Sequence, residues 1–272
     1  MNRTNLSGAL QRIERSFFVS HFLLEYLNMN QEIKLSVVIP AYKEEKRLPK
    51  TLKEINKYLS KQDYNYEILV VNDGSPDKTA EIAQSLVSEI KNLKVIGYEK
   101  NRGKGYAVRF GMLEAKGQYR LFTDADNSTS IDQVEKMFPE FETGFDIVIG
   151  SRDVKGAISD PPQPWIRSVV TAESFKLLRK IIVGLWGIED TQCGFKGFKA
   201  GVVEKVFPKG KIDRFAFDPE ILVLSKRAGY KIKEIPIYWK NDLESKVKFK
   251  SMIKMGLDLI KIRLNLLKKV YD

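Results

Sequence analysis

The residues best suited to chemistry lie in Tyr119 to Thr129, YRLFTDADNST, where a short apolar run ends in Asp124 and Asp126 with the small Ala125 between them. A chain leaving a strand at its carboxyl end emerges where open α/β sheets bind ligands. Two carboxylates one residue apart can share a hard cation there, Mg²⁺ or Mn²⁺. Such a cation keeps several waters and is completed by substrate phosphates, which points to a nucleotide diphosphate held through metal. Taken alone, the same residues also read as an Asp-rich turn capping the next helix at Ser128 or Ser130. The neighbouring motifs must decide.

Three other segments end apolar runs in polar residues. Pro40, Ala41, Tyr42, Lys43 and Glu44 follow LSVVI, and Asn72, Asp73, Gly74 and Ser75 follow YEILVV. Asp73 would then be a rim acceptor for a base or ribose. Asn101 to Gly105, NRGKG, places two cations and two glycines at a helix start, a position suited to anions. Neither a Gly-x-Gly-x-x-Gly turn nor a Walker sequence occurs at these places, which argues against a dehydrogenase or an ATPase. One rim is thus expected to carry Tyr42, Glu44, Asp73, Lys104, Asp124 and Asp126.

The elements that must position this rim follow from period and punctuation. Strands are expected at Leu35 to Pro40, Tyr66 to Val71, Leu93 to Tyr98, the run before Asp124, and Phe145 to Gly150. They alternate with helices at Leu48 to Leu59, up to Ser88 with Ser75 or Asp77 as cap, Gly103 to Ala115, and near Ile131 to Phe141. Short apolar strands alternating with helices specify an α/β fold with a mostly parallel sheet and right-handed crossovers. After Gly150 the rhythm breaks into the loop Asp160 to Pro164, a long helix Trp165 to Ile188, a short strand at Lys196 to Phe198 and a helix Pro219 to Arg227. A last strand, Ile232 to Tyr238, is placed at an edge by Pro236.

Both ends differ from this body. Residues 1–33 show Leu10, Ile13, Phe17 and Leu24 at helical spacing among arginines, a helical arm. The body is assigned to 34–243, and 244–272 is a basic amphipathic helix. In that helix Met252, Met255, Leu259, Ile262 and Leu266 form one stripe, and Ile253, Leu257, Ile260, Leu264 and Leu267 a second. Packing on the body and lying on a membrane surface both fit so apolar a helix.

Composition excludes several chemistries. The 272 residues are 43% hydrophobic with a net charge of +11, a globular chain with an anionic partner. One cysteine, Cys193, rules out an internal disulfide framework, and one histidine, His21, rules out a His-rich metal site. His21 lies in the N-terminal arm, far from any nucleophile signal, so proton chemistry falls to carboxylates. The longest uncharged apolar stretches, Ser16 to Leu24 and Ile181 to Ile188, are shorter than the roughly 20 residues of a spanning helix. No small-residue cleavage site follows the first of them. The charge alone also permits a nucleic-acid-binding protein, but no recognised motif supports that reading, and no nucleic acid is expected as partner.

The order PAYKEE, NDGS, NRGKG and TDAD, spread from Leu35 to about Tyr238, resembles the catalytic domain of glycosyltransferase family 2, with its GT-A (Rossmann-like) fold. Within it the chain is most similar to the dolichyl-phosphate (polyprenyl-phosphate) β-glucosyltransferase branch. That similarity is carried by Asn101 to Gly105 with Ala107, Val108 and Arg109; by Ile149 to Arg152; by Asp190 to Lys196; by Arg214 to Asp218; and by Glu244 to Lys246. The resemblance implies a mixed, mostly parallel sheet flanked by helices. It assigns Pro40, Tyr42, Glu44, Asp73, Lys104, Asp124 and Ala125 to the nucleotide sugar, and Asp124 and Asp126 to Mg²⁺ or Mn²⁺. It assigns Arg152, Arg167, Ser245 and Lys246 to the acceptor phosphate, and Asp126, Arg152 and Lys246 to catalysis. Ser128 stands where related mannosyl enzymes often place a third metal-side ligand, and Cys193 becomes a packed thiol.

The implied reaction moves a hexose, glucose favoured, from a UDP-sugar to a dolichyl or polyprenyl phosphate with inversion. A GDP-mannose enzyme is the nearest alternative, and a catalytically dead scaffold of the same fold is a further one. Asn127-Ser128-Thr129 matches a glycosylation acceptor pattern but falls inside the expected site. That argues for a cytoplasmic protein, peripheral to the inner face of a membrane and meeting an anionic membrane surface.

Overall fold

The computed structural model describes residues 32–161, 173–240 and 249–272. Arg167, Ser245 and Lys246, nearly all of the N-terminal arm and the first part of the expected Trp165 helix lie outside the described residues. Seven strands among the described residues form one sheet in the order β3-β2-β1-β4-β7-β5-β8. They are β1 (Leu35–Ala41), β2 (Tyr66–Asp73), β3 (Leu93–Tyr98), β4 (Tyr119–Thr123), β5 (Ile147–Ser151), β7 (Phe195–Lys199) and β8 (Ile232–Pro236). The helices are α1 (Leu48–Leu59), α2 (Thr79–Ser85), α3 (Lys104–Glu114), α4 (Phe138–Glu142), α5 (Glu173–Val183), α6 (Ala200–Val206), α7 (Phe217–Arg227) and α8 (Phe249–Leu267).

β1 runs parallel to β2 and β4, β2 to β3, and β5 to β8. Only β7 is antiparallel, wedged between β4 and β5. Two antiparallel steps leave β5 pointing the same way as β4. The carboxyl ends of β1, β2, β4 and β5 therefore share one edge, and the chain enters β7 there.

Alternation along the strands divides the core. Val37 and Ile39 face a layer with Leu48, Leu52 and Ile55 of α1. Val38, Val71 and Phe122 face the other, with Val108 and Met112 of α3 and Leu222 of α7. Gly111 lets α3 lie close on the sheet, since a Cβ there would meet Val38 and Val71.

Several elements differ from expectation for local reasons. The helix expected to reach Ile188 ends at Val183, because Gly184 turns left-handed at φ +78° and its amide caps back to the Lys180 carbonyl. The Ile131 to Phe141 helix is a 3₁₀ turn, Ile131–Lys136, followed by α4. Pro139 in the first turn of α4 donates no amide and disfavours helical backbone before it. Pro236 does end the edge strand β8. The chain then leaves the sheet, and β9 (Tyr238–Lys240) pairs in parallel with β6 (Ile158–Asp160) in a separate two-stranded sheet.

The C-terminal helix divides its two stripes. Met255, Leu259, Ile262 and Leu266 are buried against the body, whereas Ile253, Leu257, Ile260, Leu264 and Leu267 are exposed. Beyond the helix the Tyr271 hydroxyl donates to Glu220 of α7 at 2.6 Å, fixing this end of the chain. No helix among the described residues is long and apolar enough to cross a membrane.

Candidate active site

The edge assembles from residues at or just beyond the strands' carboxyl ends, Tyr42 after β1, Asp73 closing β2, Asp124 after β4 and Arg152 after β5. Asp124, after β4, meets the Lys104 ammonium from the start of α3 at 2.5 Å. Burial works against the Lys104 charge, but Asp124 and Asp218 outweigh it and hold the ammonium above the usual lysine range. Asp126 lies within the same field. Burial first, and the Asp124 charge second, push its carboxyl above the usual range, while Ser128 donates its amide at 3.0 Å and tempers the shift. Ser128 therefore holds Asp126 in place, and the capping role read from sequence for Ser130 is absent, since its side chain makes no cap bond to the following 3₁₀ turn.

β7 shapes the floor. The Asp124 amide donates to the Gly194 carbonyl at 3.2 Å, and a Cβ on Gly194 would collide with the Asp124 carboxylate. Glycine at this position is what lets the carboxylate lie over the strand. Ala125 is buried, and its carbonyl accepts the Thr51 hydroxyl from α1 at 2.7 Å.

Two residues expected on the rim are turned inward. Asp73 is 3% exposed and accepts from the Tyr98 hydroxyl, the Asn101 side chain and the amides of Arg102 and Gly103, at 2.7–3.0 Å for the closest contacts. Those donors use the roughly four lone pairs of a carboxylate. A base reaching Asp73 has to displace one of them; the aspartate's visible work is to fold the NRGKG loop back so that Lys104 faces Asp124. Both carboxylate oxygens of Glu44 likewise accept from one edge of the Arg47 guanidinium, Nε and Nη2, at 2.8 Å, and the Glu44 amide donates to the Thr79 hydroxyl. Tyr42 remains exposed beside them, with Pro40 half-buried below.

Arg152, after β5, presents its Nε and Nη2 to Asp190 at 2.7 and 2.9 Å, so one edge of its fork is already engaged. Asp190 also accepts the amides of Arg152, Gln192 and Cys193, while Glu234 of β8 accepts the Glu189 and Asp190 amides. Despite burial, Arg152 holds the Asp190 carboxyl well below the usual carboxylate range. The Cys193 thiol between these groups and Asp124 is pushed up to about 12, by burial first and Asp190 second, which makes it a packed thiol.

Sequence reasoning singled out the motifs around Lys196 and Asp218 without giving either residue a role. They form a fully buried pair at 2.6 Å, with the Lys196 ammonium also on the Cys193 carbonyl. Burial pushes the Asp218 carboxyl up, against the pull of Lys196 and Lys104. A lysine flanked by Phe195, Gly197 and Phe198 in a strand was the available signal, because a charge in an apolar run is stable only when paired.

Among the described residues no third histidine, cysteine or carboxylate completes a metal cage with Asp124 and Asp126. Two hard oxygen donors crowded by like charge, with a lysine as present counter-charge, still fit a cation completed by water and phosphate. Fold and edge together define a glycosyltransferase of the GT-A class. Residues 36–207 match Glycosyl transferase family 2, and the chain belongs to that family.

Relatives agree over most of the chain. A dolichyl-phosphate beta-glucosyltransferase of Trichomonas vaginalis is 40% identical over 84% of this chain and 72% of its own length. The protein of that name from Homo sapiens is 36% identical over 86% and 76%. In fold, the chain is similar to glucosyl-3-phosphoglycerate synthase from Mycobacterium tuberculosis, solved with Mn²⁺, UDP and glucosyl-3-phosphoglycerate. The TM-score is 0.63 at 17% identity, over 88% of this chain and 81% of that one.

Proposed function

We propose that the protein transfers glucose from UDP-glucose to a dolichyl or polyprenyl phosphate, with inversion, at the cytosolic face of a membrane. The observation that carries the proposal is the meeting of Lys104 with Asp124, with Asp126 alongside, at the carboxyl edge of the sheet. The family and the relatives' names supply the reaction class and the acceptor.

In this reading Asp124 and Asp126 would hold Mg²⁺ or Mn²⁺, and the cation would supply positive charge to offset that of a diphosphate leaving group. Lys104 then faces the same phosphates. Tyr42, Pro40 and Ala125 border the nucleoside. Glu44 and Asp73 act from below by fixing the loops, the one through Arg47 and Thr79, the other through Asn101 to Gly103. The open side of Arg152, with Arg167, Ser245 and Lys246, receives the acceptor phosphate. That phosphate is an anion near neutral pH, so no strong general base is needed, and the protein's task is to bring two anions together and offset their charge.

The test is transfer by the purified chain from UDP-glucose to a short polyprenyl phosphate with Mg²⁺ or Mn²⁺. Glucose on the lipid is expected, with kcat/KM reduced on the order of 10³-fold in Asp124→Ala, equivalent to several kcal/mol of lost charge stabilisation. Transfer from GDP-mannose alone would replace the glucosyl reading by the mannosyl one. No transfer from any UDP- or GDP-sugar would overturn both.

A further inference from the structure

One short strand touches both halves of the site. After Pro236 the chain leaves the main sheet, and β9 meets the loop that follows Asp126 at one point and the side chain of Arg152 at another. The Lys240 amide donates to the Ser128 carbonyl at 2.7 Å, and the Ser128 amide in turn holds Asp126. Gln133, buried in the 3₁₀ turn after this loop, spends both ends of its carboxamide on one residue of β9. Its Oε1 accepts the Tyr238 amide at 2.6 Å, and its Nε2 donates to the Tyr238 carbonyl at 2.7 Å. A side chain thus supplies the pair of hydrogen bonds that a neighbouring strand would give. Lys136, from the same turn, donates to the Pro236 carbonyl at 3.3 Å.

Alternation along β9 decides what it carries to the other half. Tyr238 turns outward, and its hydroxyl donates to Asp160 of β6 at 2.7 Å. Trp239 turns inward, half-buried on the core layer that α1 covers, and its ring centre lies 5.2 Å from Cζ of Arg152. A guanidinium at that distance is attracted by the indole face, which an aliphatic side chain cannot reproduce. Asp190 already holds the Nε and Nη2 edge, so carboxylate and ring together fix the direction in which Nη1 is offered. Two strands of three residues do not hold a position by themselves. The place of β9 is set by these contacts, and a shift at the Gln133 end is passed to Trp239.

We propose that β9 fixes the separation of the donor and acceptor halves of the site, with Gln133 and Trp239 as positioning residues. Gln133 ties the strand to the loop of Asp126, and Trp239 sets the guanidinium of Arg152 towards the acceptor phosphate. The proposal rests on the transferase reading above and adds to it the part that keeps two anions at a reacting distance. That distance matters, because a misplacement of about 1 Å costs on the order of 10²-fold in rate.

The experiment combines kinetics on a short, water-soluble prenyl phosphate with UDP binding by calorimetry in the presence of Mn²⁺, on the full chain. Trp239→Leu, which keeps apolar volume and loses the ring, is expected to raise KM for the prenyl phosphate about tenfold with the Kd for UDP unchanged. Trp239→Phe, which keeps a ring face, is expected to recover most of that loss. Gln133→Ala is expected to raise the same KM, and the double variant Gln133→Ala with Trp239→Leu to be no worse than Trp239→Leu alone, because Gln133 acts through Trp239. An unchanged acceptor KM in Trp239→Leu would overturn the proposal. So would additive losses in the double variant, or a rise in the UDP Kd as large as the rise in acceptor KM. Hydrogen exchange needs no transfer and separates the two readings. UDP with Mn²⁺ is expected to slow exchange at residues 237–240 in wild type and not in Gln133→Ala. That pattern without transfer from any sugar nucleotide would remove the transferase reading and keep the link between loop and strand; transfer without any response at 237–240 would do the reverse.

Discussion

Asp73 and Asp190 are each 3% exposed, yet they are held by opposite means. Asp73, on the side of β2 and β3, takes its donors from neutral groups: a tyrosine hydroxyl, an asparagine amide and two backbone amides. Asp190, on the side of β5 and β8, takes a guanidinium edge from Arg152 together with backbone amides. Nearby, Lys196 and Asp218 are paired in the same fashion. Asp73 is thus held by uncharged polar groups, and Asp190, like Asp218, by a buried opposite charge. The second arrangement is the more vulnerable, because losing one partner strands a charge away from water.

The largest effect is therefore expected at Asp190→Asn, which keeps the shape and removes the charge. A stability loss of about 3 kcal/mol is expected, the low end for breaking a buried pair, since Arg152 keeps some contact with solvent. Chemical denaturation measures it. The pH dependence has a definite sign. The folded carboxyl titrates below its unfolded value of about 3.9, so its stabilisation is complete above that pH and is lost as pH falls towards the folded value. Wild type and variant should differ by a constant amount near neutrality and converge in acid. A gap that persisted unchanged to pH 2 would show that shape, not charge, supplies the stability.

At Asp73→Asn a smaller loss is expected, about 1–2 kcal/mol, from donors facing an amide nitrogen. Its functional mark should be specific: the NRGKG loop loosens, and UDP binds more weakly with metal present. If this variant cost as much stability as Asp190→Asn, the contrast between neutral and ionic support would be wrong.

The parallel side of the sheet was legible in sequence for a physical reason. Leu48–Leu59 and Leu93–Tyr98 appear with the bounds that period and punctuation gave, because the first has one greasy face at helical spacing and the second is a short, mostly apolar run between polar residues. The small β6-β9 sheet was not legible, since three-residue strands carry no period. The rim carboxylates were visible as residues, but not which of them faces outward. That depends on Asn101 to Gly103 folding over Asp73, a contact made across 28 to 30 positions. Arg152 and Asp190 are 38 positions apart and Lys196 and Asp218 are 22 apart; motifs flagged all four residues, yet nothing local paired them.

The smallest expected effect lies at the other end of the second side, where Tyr271 ties the C-terminal segment to Glu220. Glu220 is buried and accepts the Tyr271 hydroxyl at 2.6 Å with the amides of Lys211 and Ile212 at 2.9 Å. Burial pushes its carboxyl above the usual range, and these donors, Tyr271 first, pull against that shift. Because the folded value is raised, the stability this group contributes is complete below its unfolded value of about 4.3 and declines as pH rises through the folded one. Tyr271→Phe takes away a donor that favours the ionised form, so the folded value rises further and the decline deepens. The variant should match wild type at pH 4 and fall about 1 kcal/mol below it near neutrality, the worth of one hydrogen bond when two other donors remain. Hydrogen exchange should quicken in α8 before it does in β5. A loss of the same size at both pH values would instead place the contribution of Tyr271 in its buried ring, and would leave charge on this side of the molecule confined to the Arg152 and Lys196 pairs.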